Sequence, residues 1–463
     1  MDAILCDELM QEIFQRLPQP SSAAAATVSR RWLRLFRSAK TSLSLRLSPH
    51  NHTPSSLSSF LSHFPFLSSL SLSAGGDASS FSDDLLLSAA SSCPNLRHLR
   101  VSAGPVSLFP LLCLSSSCPH LTSLSVSLSR PLSFNWLLFF HSLKEFSVDF
   151  TTVSCEFGSG ESNSSKSNID AELQIESLGL CGIRQGDYGL DWLWRSCKKL
   201  KKLQLRSCDG IGDDTSISSF TNCLKNLHEV ELRTCRTIVD EVLLILAENC
   251  SSLSTLLVYD GGSRDGLLQF ITRSRSNLRI LDLRLPLDLE NDHLLSIAEN
   301  FRGLSSLRLQ SCCLVTGEGL KTIGVATRDF LEELALVNCD VVEREPGLLT
   351  HLGQNLRKLR KLDLSYNEFL VDKELIAMLA SCTRLSELKL RGCQGLRNSA
   401  IVAICKSCKH LESVDLMDCG GIEAEAVEFF ILNCRGLKQV QVEESKVSEI
   451  ARSWASRKFI EVV

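Results

Sequence analysis

A single recurring unit limits what this chain can fold into more than any other feature. Residues 385–421 read LSELKLRGCQGLRNSAIVAICKSCKHLESVDLMDCGG and hold two copies of it. Each copy opens with a leucine, places a second apolar residue three positions on and a third two later, then reaches a cysteine. The residues are Leu385, Leu388, Leu390 and Cys393, then Leu411, Val414, Leu416 and Cys419. Leu388 and Leu390 alternate with Lys389 and Arg391, as a strand with one buried face requires. Beyond the cysteine the period becomes helical: Asn398-Ser399 offers a cap, and Ala400, Ile401, Ile404 and Cys405 recur at intervals of three and four. One short strand and one helix cannot enclose a core, so the units must stack into an α/β solenoid, a horseshoe with parallel strands on its concave face and helices outside.

Counting the first apolar residue of each motif gives anchors at Leu67, Leu96, Leu121, Leu143, Ile175, Leu200, Leu227, Leu253, Leu278, Leu304, Leu331, Leu359, Leu385, Leu411 and Leu437. From Ile175 onward every step is 25 to 28 residues, a length that suits a strand followed by a full helix. The first four copies are rougher and serine-rich. Between Leu143 and Ile175 the interval widens to 32 residues, and its Ser/Gly-rich stretch is expected to form a flexible loop over 151–172. The solenoid is expected to span residues 41–444, beginning with a strand at 41–47. Residues 445–463 form its carboxy-terminal cap, with Val447, Ile450, Ala451 and Trp454 on one helical face and a last strand at 459–463.

A net charge of −4, from 49 Lys+Arg against 53 Asp+Glu, does not suit a dedicated nucleic-acid binder, and no apolar run is long enough to cross a membrane. The amino terminus begins with acidic residues rather than a targeting segment, so a cytoplasmic or nuclear place is expected. Of the twenty cysteines, six close the strand motif and eight precede an anchor, positions that call for small, buried, reduced thiols rather than disulfides or zinc. Trp192 and Trp194 are expected to be packing residues. Phosphate-binding loops, zinc-protease motifs and nucleophile elbows are absent from the sequence, so neither catalysis nor a cofactor is expected.

Residues 1–40 do not follow the repeat. Leu5, Leu9, Ile13 and Leu17 recur every four residues before Pro18 and Pro20, and Val28, Trp32, Leu35 and Phe36 mark a second amphipathic helix. Two short helices cover little of their own apolar surface, which must pack on the solenoid or on a partner. The run ILCDELMQEIFQRLPQPSSAAAATVSRRWLRLFRSA resembles an F-box: Leu5, Glu8, Leu9, Ile13, Phe14, Leu17, Val28, Ser29, Arg30 and Trp32 fit its pattern, while Cys6 stands where the family usually has proline. Together with the repeats, the chain resembles the F-box and leucine-rich-repeat proteins of the plant-like, cysteine-containing type. That resemblance implies a substrate-recognition subunit of an SCF-type ubiquitin ligase. In it, Leu5, Cys6, Leu9, Ile13, Leu17, Val28 and Trp32 would grip a Skp-type adaptor that leads to a cullin, and the repeats would hold a protein target. The alternatives are a non-catalytic interaction scaffold and an SCF-linked small-molecule co-receptor. The scarcity of clustered lysines and arginines in the strand rows counts against the co-receptor.

Two rows of residues should line the concave face. One contains Arg206, Arg233, Tyr259 and Arg284, the other Gln204, Glu231, Leu257 and Asp282. Three arginines around a tyrosine could clamp a carboxylate or phosphate of a target. The alternative is a solvated polar face in which Glu231 and Asp282 neutralise their neighbours.

Overall fold

The computed structural model describes residues 5–17, 24–48, 54–75, 79–151, 171–285 and 288–463. The chain divides into two compact units, residues 1–223 and 224–463. In the first, helices α1 (Asp7–Arg16) and α2 (Arg30–Ala39) precede seven strands: β1 Ser42–Leu47, β2 Ser69–Ala74, β3 His98–Pro105, β4 Ser123–Leu128, β5 Glu145–Phe150, β6 Ser177–Cys181 and β7 Lys202–Arg206. Each pairs in parallel with the next. The second unit continues with β8 Glu229–Arg233, β9 Thr255–Tyr259, β10 Ile280–Arg284, β11 Ser306–Gln310, β12 Glu333–Val337, β13 Lys361–Asp363, β14 Glu387–Lys389, β15 Ser413–Asp415, β16 Gln439–Gln441 and β17 Glu461–Val462. These strands too pair in sequence order and in parallel. A helix follows most strands and packs beside the helices of its neighbours, so each unit is an α/β solenoid.

The repeat arithmetic explains the register. Leu281 of β10 lies between Leu256 and Leu307, and every anchor from Leu67 to Leu437 is at most 5 % exposed. Each buried leucine contributes roughly 1.5–3 kcal/mol, but only because a neighbouring repeat covers it. Trp194 is also internal, edge-on to Phe220 at 4.9 Å, with its indole N–H donating to the Ile211 carbonyl at 3.0 Å. Trp192 is likewise buried. The serine- and glycine-rich stretch lies largely outside the described residues, at 152–170.

The cysteines form hydrogen-bonded ladders. The thiols of Cys339, Cys393 and Cys419 reach back one repeat to the carbonyls of Leu309, Leu364 and Leu390, at 3.5, 3.2 and 3.0 Å. At the other end of the repeat, Cys118 and Cys250 donate to the carbonyls of Cys93 and Leu227. All described cysteines are free. Burial pushes the Cys93 and Cys118 thiols up to about 11 and those of Cys405 and Cys408 up to about 12. Thiolate is the reactive form, so alkylation of the native protein at pH 8 should modify the exposed Cys6 and Cys313 well before any of these four. Peptide mass spectrometry after a short pulse of iodoacetamide checks the order.

Two local expectations are corrected. The helix Asn398–Ser407 is capped by Arg397 without a side-chain bond, and Asn398 instead accepts from the Glu423 N–H of the next repeat at 3.0 Å. The same lateral device recurs at Asp83 with Ser107, Asp240 with Ser263, Asn291 with Thr316 and Asp372 with Arg397. A polar residue early in one helix thus serves a loop amide of the following repeat, leaving less need for capping within a helix. In the cap helix Glu449–Lys458, the packed face runs through Val447, Ala451 and Ala455, while Ile450 and Trp454 point outward. Spacing of four places 447, 451 and 455 in line; residues 450 and 454 lie about 100° away.

One residue after each strand run is left-handed through ten successive repeats, from Gly182 and Ser207 to Gly392 and Asp418. Asn338, Asp260 and the glycines suit that conformation; Thr234, at φ 54°, does not, because a β-branched side chain crowds its own backbone. Thr234 is exposed, so Thr234→Asn should stabilise the protein by roughly 0.5–1 kcal/mol, read as a higher denaturation midpoint.

Candidate functional site

The two amino-terminal helices form a small core of their own. Met10 and Phe14 of α1 are buried against Leu35 and Ala39 of α2, with Leu5, Leu17, Ala25, Trp32 and Phe36 packed around them. Trp32 stands edge-on to Phe14 at 5.6 Å, and Phe36 does the same at 6.3 Å. Polar contacts fix the pair. Ser29 caps α2 by accepting from the Trp32 N–H, and Arg31 donates to Asp7 and to the Leu5 carbonyl, tying α2 to the start of α1. Cys6 is the exposed N-cap residue of α1, with φ −69°, an angle that proline also adopts.

The residues expected to share one adaptor-facing surface are therefore divided. Leu5 and Leu17 flank α1 and fold back onto the core, and Trp32 is half-buried on Phe14. Leu9, Ile13 and Val28 face solvent at 50, 42 and 63 % exposure. Phe14, one of the residues that fit the F-box pattern, turns inward with Met10. Helical geometry accounts for the division: Leu9 and Ile13 lie one above the other, and Met10 and Phe14 form the next row a single residue on. Two apolar rows on so short a helix require two coverings, and α2 supplies only one.

On the strand face of the second unit, Arg233, Tyr259 and Arg284 stand in register across β8, β9 and β10. Arg206 ends β7 of the first unit, level with Cys181. Each arginine of the second unit's row has a carboxylate. Arg233 bonds to Glu231, Arg284 meets Asp282 through two bonds of 2.9 and 2.7 Å, and Arg391 meets Asp415 at 3.0 Å. In the companion row, Arg308 bonds to Asp363 at 2.9 Å. The bond to Asp282 raises the pKa of Arg284 and outweighs its partial burial; Glu231 and Asp363 add to the same field. An arginine so engaged offers a ligand less than a free one, because its present bonds must be exchanged. Sequence held a usable signal. E-L-R in β8 and D-L-R in β10 place acid and arginine two apart, hence on the same strand face.

Among the described residues, no group of three or more His, Cys, Asp or Glu side chains is arranged to hold a metal ion, and no helix is long and apolar enough to cross a membrane.

A model of the F-box domain matches residues 3–41, and one of the leucine-rich repeat matches residues 196–214 and 407–430. Among solved structures, the Rad7 and Elc1 complex from yeast shares the fold at a TM-score of 0.50 and 16 % identity, covering 91 % of this chain and 90 % of that one. An internalin from Listeria monocytogenes aligns at a TM-score of 0.38 and 14 % identity over 88 % of this chain and 93 % of its own.

Proposed function

We propose that this chain, an F-box domain followed by leucine-rich repeats, is the substrate-recognition subunit of an SCF-type ubiquitin ligase. In this reading α1 and α2 dock on a Skp-type adaptor, the adaptor joins the chain to a cullin, and the solenoid holds a protein target while other subunits perform the transfer. The observation that carries it is the exposed apolar row of Leu9 and Ile13 on α1, with Val28 exposed just before α2, although the two helices already possess a core. Exposed apolar residues of this kind call for a protein partner, and the F-box match supports a Skp-type adaptor as that partner. A reducing compartment, cytoplasm or nucleus, suits the free thiols and is proposed with it.

The test is co-purification of the full-length chain with a Skp-type adaptor and cullin. Trp32→Ala removes the ring that braces Phe14, a change of roughly 3–5 kcal/mol at a packed aromatic, enough to release helices of this size. Adaptor capture should be lost while the melting of the repeats is unchanged. Wild-type protein that fails to capture any adaptor of this type, although folded, would remove the proposal.

A further inference from the structure

The helix side of the second unit carries a groove that the receptor reading leaves unused. It runs between the helices Asn291–Asn300 and Gly317–Ala326, is closed on its far side by His351 of the helix Leu348–Asn355, and has a volume of about 510 Å³. Ala298 and Ala326 line its floor, and two apolar side chains stand out on its walls, Leu295 at 41 % exposure and Val325 at 49 %. Leu295 and Ala298 share one face of the first helix, with Arg302 just beyond its end, and Lys321 and Val325 share one face of the second. Arg302 is exposed and Lys321 half-buried, and among the described residues neither has a hydrogen bond or an ion pair. By contrast, Arg273 and Arg344 on other helices are paired with Glu248 and Asp340. Glu299, the carboxylate among the lining residues, pairs with neither cation. The turns on either side of Arg302 add Arg275, Arg279 and Arg328 against Asp329 and Glu332, so that end of the groove is basic. Asp292 and Glu318, nearer the amino ends of the two helices, lie outside the lining.

We propose that this groove is a docking site for an acidic amphipathic helix of a partner protein, which sets apolar side chains against Leu295 and Val325 and carboxylates against Arg302 and Lys321. The inference goes beyond the receptor reading and does not depend on it: the groove lies in the second unit, whereas α1 and α2 belong to the first. Exposed apolar walls rimmed by charge mark a surface that a partner covers. The occupant is a helix because the backbone on both sides of the groove is helical and bonds to itself. An extended segment would bury its own amides there without partners, while a helix satisfies its own. The small side chains of the floor let it approach to an interaxial distance of about 8–10 Å. From Leu295 to Arg302 the groove follows the helix axis for about 10 Å, or roughly two turns of an incoming helix. Its acidity follows from the two unbonded cations. A neutral helix would cover them without offering an acceptor, a basic one would be repelled, and carboxylates would make charge-assisted pairs with both.

The experiment presents two displayed libraries of short helical peptides to the full-length chain. Both fix a pair of leucines one turn apart; one library flanks them with glutamate and excludes basic residues, and the other flanks them with lysine and excludes acidic ones. The glutamate library should yield binders and the lysine library none, the reverse of what unspecific attraction to a chain of net charge −4 would give. Affinity for the selected peptides should fall about tenfold or more in Val325→Asp. It should fall likewise in Arg302→Glu combined with Lys321→Glu, and that variant should now take lysine-flanked versions of the same peptides. None of the three side chains is buried, so melting should not change, and Arg391→Ala on the strand face should bind as the wild type does. If Val325→Asp fails to fold, the charge-reversed variant decides alone. The proposal is overturned if neither library yields a binder, if the lysine library yields binders equally, or if the charge-reversed protein holds the acidic peptides as tightly as the wild type. Self-association of the wild-type chain that Val325→Asp abolishes would also overturn it, because the groove would then belong to a second copy.

Discussion

Replacing Asn367 with alanine is expected to lower the stability of the second unit by roughly 3–5 kcal/mol, whereas Asn367→Cys should cost about half of that or less. Asn367 is 1 % exposed and occupies the position filled by cysteine in neighbouring repeats. Its amide nitrogen donates to the Leu336 and Leu364 carbonyls at 2.8 and 2.7 Å, and its oxygen accepts from the Cys339 N–H at 2.9 Å. Alanine removes a partner from all three; the Leu364 carbonyl keeps the Cys393 thiol, whereas the Leu336 carbonyl and the Cys339 N–H lose the bond Asn367 gave them, and a buried polar group left without one costs about 1–3 kcal/mol. A thiol keeps one reach-back bond, as Cys393 does to the same Leu364 carbonyl. Repeats are stabilised by their neighbours, so the damage should be local. Hydrogen exchange should quicken across β12 to β14 before it does in β8 or β16. A denaturant midpoint for Asn367→Ala within about 1 kcal/mol of wild type would show that the ladder is not what fastens these turns.

The repeat was legible because it is enforced at every copy by burial: fifteen anchors predicted from spacing alone are all internal. The asparagine ladder position was not found, because a search for cysteine passes over Leu359, Leu362, Leu364 and Asn367, although asparagine satisfies the same carbonyls more fully. Rows of like residues were also legible, and so was their pairing with carboxylates two residues away, but not which carboxylate each arginine takes. Arg284 reaches its own strand's Asp282, whereas Arg391 crosses to Asp415 on the next strand, and a choice between those partners depends on side-chain paths that spacing does not contain. On the first unit the serine-rich copies read as irregular repeats. Their regularity is in the outward positions, where a serine beside each core leucine keeps the face polar. Lateral capping was illegible for a related reason. Asp372 serves a backbone amide 25 residues away, and nothing near it in sequence calls for an acid there.

Leu9→Asp combined with Ile13→Asp is expected to weaken adaptor binding at least about a hundredfold without changing the fold. Each side chain is roughly half exposed in the free chain, so neither substitution removes core packing, and surface changes of this kind usually shift stability by about 0.5 kcal/mol or less. In the complex the balance reverses. Covering a leucine or isoleucine contributes about 1.5–3 kcal/mol, and the aspartates would bring unpaired charge into an apolar contact. Even with incomplete additivity the two together exceed the roughly 2.7 kcal/mol that corresponds to a hundredfold. Phe14→Ala should abolish the same binding by another route, because it empties the centre of the core shared by Met10, Leu35 and Ala39, at a cost of about 3–5 kcal/mol. Hydrogen exchange separates the two. In the aspartate variant the amides of α1 and α2 should stay as protected as in wild type, while in Phe14→Ala they should exchange freely. Val28→Asp, on the other exposed apolar position, should resemble the aspartate pair in kind and fall short of it in size. Full adaptor binding by the aspartate pair, with both helices still protected, would place the docking surface on the other side of these helices, where Arg31 and Asp7 lie.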